Sequence, residues 1–525
     1  MKRYITIVLT LFLLVLSVFT ITSCNNNNGG NNTNPPVECT HEDKNDDELC
    51  DKCGVAFKDG IDVCTHKDAD DNAKCDICGA DFEDGKDLPD DPGFVDTISL
   101  EELYAMIDAV IPSEVTSDVR LPRGFDESLA FLYWYSSNEE AITNGGKVTR
   151  GYEDVPVSFR VVIEYSETET YERVVNTVVK GFHLKPLENK KLVVAYLYAS
   201  AGFSGISEES LEYVDYINYS FGGVTDGKAV VSDTAQLRKV LSYRDYGVRV
   251  GLALGGWGSG DFSNAVRTKE ARTKFADSII ELMKKYNFDG IDIDWEYPGS
   301  SVAGIPSHYT DTANLTLFCQ ELYAKIKAYR PDALLTMAVA ASTAFDFKNL
   351  SNCVDYFNLM TYDHSIGDSN AYHHASLYSN SYAHTSVNSA VTKLINWGVP
   401  SNKIVIGAAF YGRTAPFASK NDAKLGGKLT TTLSKTYSYT QIEEGIKNGT
   451  YIEMYDEVAC ANYIITTGAN TAGRFITYDG VESVTAKCNY VYEKELGGIM
   501  FWDYTQDKNG TLIIAINNAF EKQKD

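Results

Sequence analysis

The chain has 525 residues, several times the length of a typical domain, so roughly two to four folded units are expected. Its 47 Lys and Arg against 72 Asp and Glu give a formal charge of −25, which repels phosphate backbones and excludes nucleic acid as a partner.

At the N-terminus, Lys2 and Arg3 precede an apolar stretch from Tyr4 to Phe19, the order of an export signal. Ile21-Thr22-Ser23-Cys24 then resembles a bacterial lipobox, in which Cys24 becomes the lipidated first residue after cleavage. Residues 1–23 would then be a lipoprotein signal peptide. An ordinary signal peptide with an incidental cysteine, or an uncleaved membrane helix, is the alternative. The Asn/Gly-rich run within 24–38 reads as a tether. The expectation is an exported bacterial lipoprotein, anchored to a membrane through Cys24 and facing outside the cytoplasm.

Residues 39–82 hold one pattern twice. Cys39-x-His41-x8-Cys50-x2-Cys53 is followed by Cys64-x-His66-x8-Cys75-x2-Cys78. Three Cys and one His per unit make a tetrahedral zinc set. An odd cysteine count argues against a self-contained disulfide knot, while a disulfide network across both units stays open in an exported protein. A calcium loop built on Asp68, Asp70, Asp71 and Asn72 lacks the Gly and Glu it needs. Four protein ligands fill the coordination sphere, so zinc here would be structural. Units this poor in apolar residues would need it to fold. Cys319, Cys353, Cys460 and Cys488 show no ligand-like spacing.

From 98 to 184 the pattern becomes alternating. Val157, Phe159, Val161, Ile163 and Tyr165 share one face, with Ser158, Arg160 and Glu164 on the other, as in a half-buried strand. Trp134–Asn138, Ala141-Ile142-Thr143 and Gly146–Thr149 resemble segments of bacterial immunoglobulin-like domains. That resemblance implies a β-sandwich serving as a spacer or adhesion unit, with carbohydrate binding as a further role.

Between 190 and 522, apolar strands alternate with amphipathic helices. The strands expected are Leu192–Tyr198, Tyr216–Phe221, Val248–Leu254, Gly290–Trp295, Leu334–Ala340, Tyr356–Met360, Ile404–Ala409 and Gly498–Trp502; helices include Glu270–Tyr286 and Leu315–Tyr329. Eight strands with crossovers predict an α/β fold, a (β/α)8 TIM barrel. A doubly wound sheet would show a Gly-rich phosphate loop after the first strand, and none is present.

The run Phe288-Asp289-Gly290-Ile291-Asp292-Ile293-Asp294-Trp295-Glu296 carries the chemistry. Alternate strand residues share a face, so Asp292, Asp294 and Glu296 point one way and Ile291, Ile293 and Trp295 the other. Carboxyls about 7 Å apart in a closed site titrate as a coupled set. Such coupling keeps one protonated near neutral pH, as a general acid requires. A metal site or a solvated edge is the competing reading. The apolar opposite face speaks against the edge, and no histidine joins the cluster to favour metal.

Asp289-Gly-x-Asp292-x-Asp294-x-Glu296 matches the signature of glycoside hydrolase family 18, the chitinases and their relatives. Leu254–Trp257, Asn358–Asp363, Phe410–Arg413 and Gly497–Trp502 resemble the family's motifs at its third, sixth, seventh and eighth strands. The resemblance implies a cofactor-free retaining mechanism in which the substrate's 2-acetamido oxygen replaces an enzyme nucleophile. Glu296 would protonate the glycosidic oxygen, Asp294 orient the acetamido group, and Asp292 hold or receive the proton exchanged with Asp294. Tyr362 would hydrogen-bond the acetamido group, and Asp363 and Arg413 would contact the distorted sugar. Trp502 would floor the cleavage point, with Trp257, Tyr411, Tyr196, Phe221 and Met360 lining the cleft.

Chitin, chito-oligosaccharides and the chitobiose core of N-glycans would qualify as substrates, the last making the chain an endo-β-N-acetylglucosaminidase. A silent chitin-binding lectin is the third option. One departure stands out: Ala253 occupies the position where the family has a Ser that hydrogen-bonds the carboxylates, which implies an altered pH profile or reduced rate. The residues between Arg413 and Gly497 exceed what a strand connection needs and are expected to form a small α+β insertion walling the cleft. Tyr451–Glu457 and Arg474–Asp479 would be two of its strands.

Overall fold

The computed structural model describes residues 98–523 apart from 127, 129, 166–167, 203–205 and 468–470, together with the backbone of a short hairpin, Phe57–Lys58 with Ile61–Asp62. The hairpin lies in a first unit, Met1–Val95, and everything below in a second, Asp96–Asp525. Cys24 and the eight Cys and His of the tandem repeats lie outside the described residues. Among the described residues no cluster of His, Cys, Asp or Glu is arranged to hold a metal, and no helix is long and apolar enough to cross a membrane.

Residues 192–502 form the expected barrel. Its eight parallel strands are Leu192–Tyr198, Tyr216–Thr225, Arg249–Gly255, Gly290–Asp294, Leu334–Val339, Tyr356–Leu359, Ile404–Ala409 and Gly498–Trp502. Each pairs with the next; the eighth pairs with the first, and the second with the third, so the sheet closes. Flanking helices such as Lys269–Tyr286, capped by the Thr268 side chain, and Asp311–Tyr329 bury their apolar stripes against the outer strand faces. Ile291, Ile293 and Trp295 are packed in that layer, as the alternation required.

Two glycines of the signature regions are fixed by close approach. A Cβ on Gly290 would sit 2.3 Å from the Tyr216 hydroxyl inside the barrel. Gly255, at φ +118°, lies where a Cβ would meet the Asp294 carbonyl oxygen at 2.0 Å, which is how the third strand turns away over the fourth.

Between the seventh and eighth strands, Tyr411–Pro416, Lys435–Ser438, Glu453–Asp456, Ala461–Ile465 and Arg474–Tyr478 form a five-stranded antiparallel sheet with the helix Tyr439–Lys447. This is the expected insertion, with Asn462 fully buried within it.

Upstream, the β-sandwich is corrected. The described residues form one sheet, in the order Glu114–Val115, Thr170–Val179, Val155–Glu164, Phe131–Ser136, with the helix Leu100–Val110 supplying the second layer. Leu103 and Ile107 of that helix pack with Phe159, Val161 and Ile163, filling the place a facing sheet would take. Ser99 and Glu102 form a reciprocal capping box at its start.

This sheet is fastened to the barrel at the end opposite the strands' carboxyl termini. Asp289, just before the fourth strand, is fully buried between Arg244 (3.0 Å) and Arg330 (2.8 Å), and takes the Tyr152 hydroxyl at 2.6 Å and the Val250 N–H at 2.6 Å. Arg150 pairs with Asp245 and lies over the Phe182 ring.

Candidate active site

Asp292 and Asp294 lie on the fourth strand and Glu296 just beyond it, at the carboxyl end of the barrel where catalytic groups gather. They sit at increasing height. Asp292 is sealed in the barrel interior, Asp294 is 4% exposed above it, and Glu296 reaches the cleft floor.

Asp292 is the best-satisfied of the three. The Thr336 hydroxyl donates to one of its oxygens at 2.6 Å, with the Asn358 amide at 3.0 Å, and the Tyr196 hydroxyl donates to the other at 2.8 Å. Ala253 and Thr336 flank Asp292 at the same level on the neighbouring strands. The donor that Ala253 lacks on one side is therefore present on the other. Burial pushes Asp292 up and these three donors oppose the rise. Asp294 has one oxygen with no hydrogen-bond partner. Burial, then the charges of Glu296 and Asp292, push it well above the usual carboxylate range. Of the two aspartates, Asp294 is therefore the one whose charged form is disfavoured more strongly. Burial also pushes Glu296 up to about 7, with the nearby Asp363 adding to the rise and a hydrogen bond with Tyr297 opposing it.

Around these carboxyls lies a cavity of about 580 Å³. Every barrel residue expected at the site lines it except Asp292, which stands behind Asp294. Trp502 forms a floor, stacked on Phe221 (centroids 5.5 Å, 21°) and buttressed by Tyr196 and Tyr198. Tyr196 is almost fully buried with its hydroxyl committed to Asp292, so it braces the carboxylate as well as the floor. Trp257 projects at the rim, 63% exposed, edge-on to Tyr297. Met360, Tyr362 and Tyr411 complete the wall, the two tyrosines crossing at 73°. The peptide bonds Ser220–Phe221, Glu296–Tyr297 and Trp502–Asp503 are cis.

Asp363 is held by Arg413, whose Nε donates at 2.8 Å, and by His374 at 3.4 Å. Burial would raise its pKa, but the His374 and Arg413 contacts outweigh that and hold it below the usual range. Thr336 and His374 are the functional neighbours that motif reading missed. Thr336 was recoverable from the strand register, since its position falls level with Asp292. His374, on the loop after the sixth strand, gave no such signal. Ala338, Ala340, Ala341, His364, Ile366 and Lys393 also line the cavity.

The sequence profile of Glycosyl hydrolases family 18 matches residues 193–507, more than half of the chain. The chain belongs to this family. Among glycosyl hydrolases of family 18 it is similar to Chitinase A1 of Niallia circulans, 31% identical over 321 residues, covering 56% of this chain and 45% of that one. Chitinase B of Serratia marcescens is 28% identical over 395 residues, covering 60% of this chain and 78% of the relative. The chain thus spans less than half the length of the first of these relatives. Among solved structures, a family 18 N-acetylglucosaminidase from Paenibacillus barengoltzii superposes with a TM-score of 0.59 at 28% identity, over 63% of this chain and all of that one.

Proposed function

We propose that this chain hydrolyses β-1,4 linkages between N-acetylglucosamine residues of chitin or its oligomers, with the substrate's own acetamido oxygen as nucleophile. The observation that carries the reading is the placement of the carboxyls. Among the described residues, the only carboxyls that line the cavity are those of Asp294, Glu296 and Asp363. Asp363 is locked to Arg413 and His374, and Asp294 sits below Glu296 on the same strand. Among the described residues, no further carboxylate lines the cavity to serve as the second member of a two-carboxylate pair. A nucleophile supplied by the substrate, as membership of the family implies, fits this arrangement.

Glu296 donates its proton to the glycosidic oxygen, and its raised pKa suits that task at neutral pH. Asp294 accepts from the acetamido N–H and stabilises the positive charge that develops on the oxazolinium ring, its own proton passing to Asp292, whose carboxyl is oriented by three donors. Tyr362 closes on the acetamido group from the wall, and Trp502 stacks under the sugar ring. The names of the similar chitinases favour chitin. The sequence of residues 1–24 supports an exported, lipid-anchored enzyme, and the Cys/His spacing of 39–82 supports structural zinc that takes no part in the reaction.

Incubation with chitohexaose and with a high-mannose glycoprotein, followed by mass spectrometry of products, tests the assignment. Chitobiose or chitotriose is expected. Glycans released with a single terminal N-acetylglucosamine would move the assignment to the N-glycan reading, and binding without product would make the chain a lectin.

The network around Asp292 yields a second expectation. A hydrogen bond to an ionised group contributes about 1.5–3 kcal/mol. Thr336→Val should then lower kcat/KM roughly ten- to hundredfold. Losing a donor to the ionised form raises the Asp292 pKa, so the acid limb of the pH–rate profile moves to higher pH. Ala253→Ser should stay within about threefold of wild type, because both oxygens of Asp292 already accept hydrogen bonds. The reverse ranking in measured pH–rate profiles would show that Thr336 does not stand in for the missing serine.

A further inference from the structure

The outer face of the upstream sheet carries a row of aromatic rings that the barrel does not use. Along Phe131–Ser136, Leu132 and Trp134 are buried, which turns Phe131, Tyr133 and Tyr135 to solvent at 61%, 44% and 44% exposure. Rings two residues apart on a strand stand about 7 Å from one another, so the row is about 13 Å long. The adjoining strand places Glu164, Val162 and Arg160 opposite them, and the next contributes Val174, 57% exposed.

Polar groups are fixed beside the rings, one at the edge of Tyr133 and one over a face of Tyr135. The Tyr133 hydroxyl donates to Glu164 at 3.1 Å. The Arg160 guanidinium lies 4.7 Å from the Tyr135 ring centre and pairs with Glu172 at 2.9 Å.

A contiguous exposed patch of this kind marks an interaction site, and its composition selects the occupant. The core of a protein–protein interface is depleted of charge, whereas here charged groups alternate with rings. Flat rings match the apolar faces of pyranoses, and charged donors and acceptors beside them match hydroxyl and amide groups. The same sheet is clamped to the barrel through Tyr152 and Arg150, so a polymer lying on it is held in a fixed relation to the cleft.

We propose that this face is a second carbohydrate-binding site, for the same β-1,4-linked N-acetylglucosamine polymer that the cleft cuts. This rests on the proposed function above. The site holds an insoluble chain while the cleft works on it.

The test uses the full chain carrying Glu296→Gln, with saturating soluble chitotetraose to fill the cleft, and measures binding to insoluble chitin. Adding Phe131→Ala, Tyr133→Ala and Tyr135→Ala together is expected to weaken that binding at least about tenfold, with Phe131→Ala alone giving a smaller loss. Thermal midpoints and chitotetraose affinity should be unchanged, which confirms folding and an intact cleft. Undiminished chitin binding by the triple variant overturns the proposal. So does absence of chitin binding once the cleft is filled, or a wild-type dimer in sedimentation that the triple variant abolishes. Failure of chitotetraose to bind the Glu296→Gln chain at all would instead count against the chitinase reading.

Discussion

On chitohexaose, Glu296→Gln is expected to lower kcat by about two to four orders of magnitude, the worth of a positioned general acid. Because glutamine keeps the shape of the side chain and its contacts in the cleft, KM should change little. The pH dependence follows from the direction of the shift. The active form is protonated, and burial pushes that carboxyl up to about 7. Wild-type kcat/KM should therefore fall as pH rises through about 7, and this alkaline limb should vanish in the glutamine variant. A variant that keeps more than about a tenth of the wild-type kcat would take the acid role away from Glu296.

Asp289→Asn is expected to destabilise residues 98–523 by about 3–5 kcal/mol, read from urea unfolding. Asp289 belongs to the signature yet stands at the far end of the barrel from the cleft. It neutralises two deeply buried cations, Arg244 and Arg330, and receives two further hydrogen bonds. An amide leaves Arg244 without a counter-charge and Arg330 with only the more distant Asp332, at 3.7 Å. Tyr152→Phe removes a single hydroxyl and should cost only about 1–3 kcal/mol. If the two variants unfold at the same denaturant concentration, the cluster is not held together by its charge.

The barrel was legible because its strands are buried on both faces and read as nearly continuous apolar runs. Leu192–Tyr198, Ile404–Ala409 and Gly498–Trp502 have the expected limits, and the others shift by a few residues at most. The acid cluster was legible because a period of two leaves no choice about which residues share a face. The upstream region was misjudged because the alternation of Val157–Tyr165 was extended to its surroundings. The capping box at Ser99 and Glu102, followed by apolar residues at helical spacing, was in plain view and marks the helix that replaces a second sheet. The Tyr152–Asp289 contact joins residues 137 apart in the chain, and no local pattern announces it. Asp289 was read only as part of a motif, although its work is done at the other end of the strand.

That contact also sets the polarity of the molecule. Residues 150–154 and 180–183 meet the base of the barrel, whereas Ile98 lies against Tyr165 at the other end of a ten-residue strand. Such a strand spans about 33 Å. The upstream sheet is thus a strut, with Ile98 at one tip and the closed base of the barrel at the other. Force applied between Ile98 and the barrel loads the Tyr152 clamp, while the rim at Trp257 lies at the opposite pole of the barrel. Tension applied at the cleft would pass through Asp289 and along the strut, so a buried charge cluster is also a mechanical joint.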